Sequence, residues 1–296
     1  MQIYAQSFRS LLVSDCVSVG NVNIFPITGA PTPSPKNLKA LAEVIDTGLV
    51  DINEVSEAGS VNVIQVDNRS AFDIFIADGE ALVGAKQNRI AEQSVIVPAE
   101  SKFHIPVHCV EQGRWSFDRD MHFQKSEFAL PPSARDRKAF LLKSKEHSRL
   151  QTEMWNAVEQ MSTKHGVLSH TSDLGDILSS SPDITSALDR SEINELDCNG
   201  YAVFGSGRPF VEIFYDKNAC KIHQKSSRRA WLADAESSRE DTPAVAEVEE
   251  LLTRLAMSNW TAEPSIGIED SYSSALENSG RTVMKNGAFV HGYFYL

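Results

Sequence analysis

The sequence predicts an α+β fold, an antiparallel or mixed β-sheet packed by several helices. Three observations carry this. Short β-rich runs broken by Asn, Asp, Gly and Ser crowd the first part of the chain. Hydroxyl–proline pairs mark helix starts at three separate places. Helices do not alternate regularly with strands, as a doubly wound sheet would require.

The elements follow in order. Residues 22–27, 52–55, 61–66 and 72–76 read as strands. Ser34-Pro35 announces a first helix, with Leu38, Leu41, Ala42 and Ile45 on one face and Gly48 as its stop. A longer helical stretch is expected over about residues 134–161, where Leu150, Met154, Ala157, Val158 and Met161 form one apolar stripe. Ser181-Pro182 and Thr242-Pro243 open two more helices. Residues 201–204 and 210–215 flank a Gly-Ser-Gly-Arg-Pro turn and read as a hairpin. The charge-rich run within 218–250 reads as a solvated loop, and residues 288–296 as a final strand. One domain over 1–296 is expected, with a possible division into a β-rich half, 1–132, and a second half, 133–296.

Composition bounds the function. The 296 residues carry 28 Lys and Arg against 40 Asp and Glu, a formal net charge of −12. That sign opposes non-specific binding to a nucleic-acid polymer and docking on an anionic membrane. A local cationic cluster can still hold a small anion. Cys16, Cys109, Cys198 and Cys220 are dispersed, with no CxxC pair, so all four are expected to be reduced and unpaired. No signal-like start and no apolar run near ~20 residues is visible, so the cytoplasm is the expected compartment.

The densest chemistry lies in residues 78–115. Phe103, Ile105, Val107 and Cys109 alternate with Lys102, His104, Pro106 and His108, a strand pattern in which Pro106 demands an edge or a bulge. Residues 89–97 read as its antiparallel partner. Matching apolar faces sets Val97 opposite Phe103, Val95 opposite Ile105, Ala91 opposite Cys109 and Arg89 opposite Glu111. Lys86, Gln87, Asn88 and Arg89 then meet Glu111, Gln112 and Arg114 at one hairpin end, close to a glycine-punctuated turn over 78–84. The expected site is concave. His104 and His108 share a face and could both touch a metal, but no further ligand has good spacing, so no metal is assigned. Cys109, on the apolar face, reads as a structural thiol and Trp115 as a packed plug.

The runs DGEALVGAKQNR and VHCVEQGRW resemble those of the ADP-ribosylglycohydrolase (ARG) and rhodanese-phosphatase-superfamily-associated protein domain, first type, known as ARPP. The resemblance extends over nearly the whole chain, through QTEMWNAVE, LSHTSDLGD and SIGIED. It implies an α+β domain associated with NAD and ADP-ribose metabolism, and brings no particular reaction or cofactor with it. The residues matching its polar motifs are Glu80, Lys86, Gln87, Asn88, Arg89, Glu111, Gln112 and Arg114.

The expected partner is a small anionic, nucleotide-derived or phosphorylated molecule. Lys86, Arg89 and Arg114 would hold its anionic group, and Gln87, Asn88 and Gln112 would read hydroxyl or amide edges. Glu80 or Glu111 would be the general base or acid, depending on which one is buried. A non-catalytic sensing module and a structural lock are the alternatives.

Overall fold

The computed structural model describes residues 8, 10–29, 31, 33–117, 122–191, 195–236, 242–274 and 280–295. Its architecture is α+β with mixed sheets. Strands β1 (Leu12–Val13), β2 (Val17–Val19) and β3 (Val22–Thr28) open the chain. β4 (Leu38–Ala40) leads into a single-turn helix, α1 (Leu41–Val44). Then come β5 (Val50–Glu54), β6 (Val63–Asn68), β7 (Asp73–Ile76), β8 (Glu80–Gly84), β9 (Arg89–Ala91), β10 (Val95–Val97), β11 (Ser101–Cys109) and β12 (Phe123–Ala129). Four helices follow: α2 (Pro132–Lys143), α3 (His147–His165), α4 (Leu174–Ser180) and α5 (Pro182–Asp189). The hairpin β13 (Gly200–Phe204) and β14 (Phe210–Phe214) precedes α6 (Lys217–Asp234) and α7 (Val245–Met257). β15 (Trp260–Glu263), β16 (Asp270–Ser274), β17 (Gly280–Lys285) and β18 (Ala288–Tyr295) complete it.

These strands make three sheets. The largest runs β1-β3-β13-β14-β18-β17-β16-β15, with β2 also paired to β3. A second runs β12-β8-β9-β11-β6-β5. The third, β10-β7-β4, contains the parallel pair β4–β7 and makes the architecture mixed. One core cluster joins residues on both sides of position 132, from Phe75, Ala81 and Ile90 to Met154, Trp231 and Val290. A second lies within the two smaller sheets, and a third packs α7 on the far face of the large sheet.

Several expectations need correction. Residues 38–40 form a strand against β7, so the helix expected after Ser34-Pro35 shrinks to α1 and a 3-10 turn, ending at Gly48 with φ 72°. The long helix is broken in two at Lys145, whose φ of 58° is left-handed. Its apolar stripe is sound: Leu150, Met154, Val158 and Met161 are buried. The Ser181 hydroxyl caps α5 as expected, whereas α7 starts after Ala244 and Thr242 instead accepts from Asn23. The run expected to be a solvated loop is mostly helical. In α6, Cys220, His223, Gln224, Ser226, Ser227, Ala230 and Trp231 are buried, so a polar composition concealed an inward face. Residues 237–241 of that run lie outside the described residues. No helix among the described residues is long and apolar enough to cross a membrane.

Candidate functional site

The motif residues sit where β8, β9 and β11 end together. Gly84 closes β8 at φ 115°, and a Cβ there would lie 2.6 Å from His122 O, so glycine is required. Asn88 fixes the turn to β9. Its Oδ1 accepts from Gly84 N (3.0 Å), its Nδ2 donates to Asp173 Oδ1 (2.9 Å), and its backbone N–H donates to Glu111 Oε2 (3.0 Å). Glu111 is gripped side-on by Arg114 through Nε–Oε1 (2.8 Å) and Nη2–Oε2 (2.7 Å). The remaining nitrogen of Arg114 donates to Ala85 O (2.6 Å) and Ser116 O (3.1 Å). Asp173 also caps α4 by accepting from Asp176 N (3.0 Å), and burial pushes its carboxyl up to about 6. Gln151, on α3, pairs its side-chain amide with both backbone groups of Cys109 at 2.9 Å.

Arg89 is arranged differently. It is fully buried and donates from Nη1 to Gln87 Oε1 (2.9 Å). Its other edge, Nε and Nη2, finds no hydrogen-bond acceptor among the described residues. That edge faces Glu54, with Nη2 3.6 Å from Oε1, and both Glu54 oxygens are likewise without a hydrogen-bond donor among the described residues. Trp115 covers this ion pair, its ring 5.6 Å from the Arg89 guanidinium carbon and 5.4 Å from Lys86 Nζ. Lys86 Nζ also lies 5.1 Å from the Phe117 ring, and it donates to Ala58 O (3.0 Å) and to Glu57 O. Trp115 and Phe117 remain 44% and 41% exposed, an aromatic rim over buried charge. Gln112 is exposed beside it.

The expected register is off by two residues. Arg89 stands opposite Cys109, and Ala91 opposite Val107. Glu111 therefore does not face Arg89 across the ladder; it pairs with Arg114 and forms an isolated bridge with Asp173. A two-residue slip leaves every side chain on the same face, so matching apolar faces cannot detect it. Nor do residues 95–97 continue the hairpin. They leave as β10 to pair with β7, because Ile96 is buried in one core cluster and Val95 and Val97 in another. Pro106 is neither at an edge nor in a bulge. It stands where β11 exchanges β6 for β9 as its partner. His104 is exposed, while His108 is buried with Nε2 2.9 Å from Glu92 Oε2. Among the described residues no group of three or more His, Cys, Asp or Glu is placed to hold a metal.

Glu80 faces another region. Its Oε2 accepts from Ala77 N (2.9 Å) and lies 3.7 Å from His223 Nε2. Burial pushes its carboxyl up to about 7 and pushes His223 down to about 3, so near neutral pH the imidazole is uncharged. Gly79, at φ 71°, makes the turn before it, where a Cβ would press on Arg135 Cδ at 3.0 Å.

Beside Glu80 lies a second polar cluster that sequence reading did not find. Glu212, on β14, accepts from Tyr201 (2.6 Å) and Arg135 (3.0 Å), and stands 3.0 Å from His291 Nε2. His291 Nδ1 is 2.9 Å from Ser94 Oγ, which accepts from Asp78 N (3.0 Å). Asp78 in turn binds Lys138 (2.7 Å) and Arg135 (3.3 Å). The neighbouring cations, with Arg135 first among them, hold the Glu212 carboxyl well below its ordinary range. Ser94, Arg135, Lys138, Glu212 and His291 carry no local motif, and only the folded chain brings them together. An open depression of about 470 Å³ lies elsewhere, lined by Asn156, Glu159, Gln160, Thr163 and Lys164 of α3 alone.

Three sheets meeting at a set of braced, buried ionic side chains define an α+β protein with a polar hairpin end under an aromatic rim. The family follows from the sequence. Residues 10–295 match the model of the ARG and Rhodanese-Phosphatase-superfamily-associated Protein domain, ARPP-1, and the chain belongs to that family. No curated protein and no solved structure matches the chain.

Proposed function

We propose that this chain is a ligand-sensing domain that binds a small nucleotide-derived molecule, related to ADP-ribose or NAD, or a phosphorylated one, at the hairpin end. The observation that supports this reading is the Nε–Nη2 edge of Arg89, buried under Trp115 and short of hydrogen-bond acceptors among the described residues. A buried guanidinium whose Nε–Nη2 edge meets Glu54 only as a 3.6 Å ion pair, with neither partner hydrogen-bonded across it, is an unusual arrangement. Nε and Nη2 are the pair of parallel donors that suits a phosphate or a planar acceptor edge. Trp115 and Phe117 offer ring faces above it, and Lys86 adds positive charge between them. Gln87, Asn88 and Gln112 line the same end with amide groups, and Arg114 contributes positive charge while bracing Glu111.

The test is a thermal-shift screen of the full chain with ADP-ribose, NAD, nucleotides and sugar phosphates. A ligand at about 100 times its dissociation constant stabilises a fold by about 2.7 kcal/mol. Arg89→Gln and Trp115→Ala should each remove the shift. The reading fails if none of these ligands shifts the wild type, or if the shift survives both substitutions.

A second reading, that the ligand is processed, is favoured by Glu80. It has no permanent cationic partner, and a carboxyl titrating at about 7 can both give and take a proton near neutrality. Glu111, the other candidate acid or base, is committed to Arg114. If the ligand is processed, Glu80→Gln keeps the thermal shift and loses turnover.

A further inference from the structure

Cys198 and Cys220 lie far from the motif end and have no part in the reading above. Cys198 stands in the non-helical segment just before β13, and Cys220 is the fourth residue of α6. Both are buried, and their Sγ atoms are 3.7 Å apart. Gln224 Nε2, one helical turn beyond Cys220, points at Cys198 Sγ from 3.9 Å. Two surface ion pairs hold the segment on the helix, Lys217 with Asp197 (2.6 Å) and Lys221 with Glu195 (2.5 Å).

The two sulfurs are not equivalent. A thiolate at Cys198 would accept from the Cys220 S–H and from the Gln224 amide. The hydrogen bond from Cys220 holds the Cys198 thiol below its ordinary range, whereas burial drives Cys220 well above. The thiolate is the nucleophile in cysteine chemistry, so Cys198 is the attacking sulfur and Cys220 the resolving one. Cys198 is itself buried but lies one residue from the surface, where the Asp197 side chain is 81% exposed.

We propose that Cys198 and Cys220 are a peroxide-reactive dithiol that closes to an intramolecular disulfide. In the first step the Cys198 thiolate attacks one peroxide oxygen, and the O–O bond breaks. Cys198 becomes a sulfenic acid, and the hydroxide that leaves takes the proton of Cys220. In the second step the Cys220 thiolate attacks the Cys198 sulfur, the S–O bond breaks, and the departing hydroxide is protonated to water by solvent. Two electrons pass from the thiols to the peroxide. The sulfurs must close from 3.7 Å to about 2.05 Å. Backbone N–H groups tie the segment on both sides of Cys198, Leu196 N to Gln224 Oε1 and Asn199 N to Ile27 O, so the closure falls to rotation of the two cysteine side chains.

The remaining thiols act as internal controls. Cys109 donates to Glu111 O at 3.0 Å, and burial raises it above the ordinary range. Cys16 is half-buried. The experiment treats the reduced full chain with a small excess of hydrogen peroxide, alkylates under denaturing conditions, and maps the tryptic peptides by mass spectrometry. The expected product is one linked peptide pair joining Cys198 to Cys220, with two of the four thiols lost and both restored by dithiothreitol. In Cys220→Ser the reaction should stop at a Cys198 sulfenic acid that dimedone traps; in Cys198→Ser, Cys220 should remain alkylatable. The proposal is overturned if Cys16 oxidises while Cys198 and Cys220 stay alkylatable. It is equally overturned if Cys220→Ser yields no dimedone adduct at Cys198. The wild-type linkage needs no variant, so a poorly folding substitution leaves the test decisive.

Discussion

The two buried polar clusters use the same residue types but are assembled in opposite ways. At the hairpin end, Glu111 and Arg114 are three residues apart, and most of their remaining bonds go to the backbone of the turn over residues 84–88. In the second cluster, Asp78, Arg135, Lys138, Glu212 and His291 come from a turn, a helix and two strands distant in sequence. The first cluster shapes a loop; the second ties β14, β18, α2 and the turn before β8 to one another. The first cluster, drawn mostly from two short runs, is visible to a motif search, whereas the distributed one leaves no local sign and is expected to matter more to stability.

The largest effect should separate them directly. Arg135→Met leaves Glu212 buried with only Tyr201 and His291 as polar partners, while Asp78 keeps Lys138, and the unfolding free energy in urea should fall by about 3–5 kcal/mol. Equal losses for Arg135→Met and Arg114→Met would break the comparison.

The next prediction uses pH. Glu80 titrates at about 7 in the fold against 4.5 when exposed. As pH rises through that window the unfolded chain releases its proton first, so Glu80 makes stability fall between about 4.5 and about 7. His223 does the reverse. Folded it titrates at about 3 against 6.5 when exposed, so stability rises with pH between those values. The two slopes oppose each other where they overlap. Glu80→Gln should remove the falling one, leaving the protein unchanged at pH 4 and more stable at pH 8 by up to about 3 kcal/mol. Denaturation midpoints measured across that range check it, and a variant no more stable at pH 8 than at pH 4 relative to wild type would rule it out.

Arg114→Met should cost about 1–3 kcal/mol, the penalty for Glu111 and two backbone carbonyls losing their donor. The sequence reading treats Arg114 as a ligand contact, and the bidentate grip on Glu111 makes it a brace as well. Smallest of all, Gln112→Ala should stay within about 0.5 kcal/mol of wild type while weakening ligand binding, because its side chain is exposed. A large stability loss there would move Gln112 into the brace.

What the sequence made legible follows the range of each interaction. The β13–β14 hairpin, the cap at Ser181, the stop at Gly48 and the turn glycines at 79 and 84 are set by neighbours, and each was readable. So was the meeting of Lys86 to Arg89 with residues 111–115. The register of β9 on β11 was not, because a slip of two conserves facing. The departure of β10 was not, because three consecutive buried residues carry no alternation. The inward face of α6 was hidden by His223, Gln224, Ser226 and Ser227, polar residues buried on hydrogen-bonding and ring-stacking partners. Glu54, Ser94, Glu212 and His291 gave no local sign at all.

The large sheet has a consequence for how the protein is made. β3 lies between β1 and β13, with Phe25 opposite Ala202, so its principal partner is synthesised long after it. Six of its seven residues are buried in the finished sheet. On the ribosome that strand waits with an apolar face and an open edge while the two smaller sheets and five helices are still being translated. Such non-local pairing folds slowly and is exposed to aggregation. A nascent chain arrested before residue 200 should therefore bind a holding chaperone, and release should follow the emergence of β13 and β14.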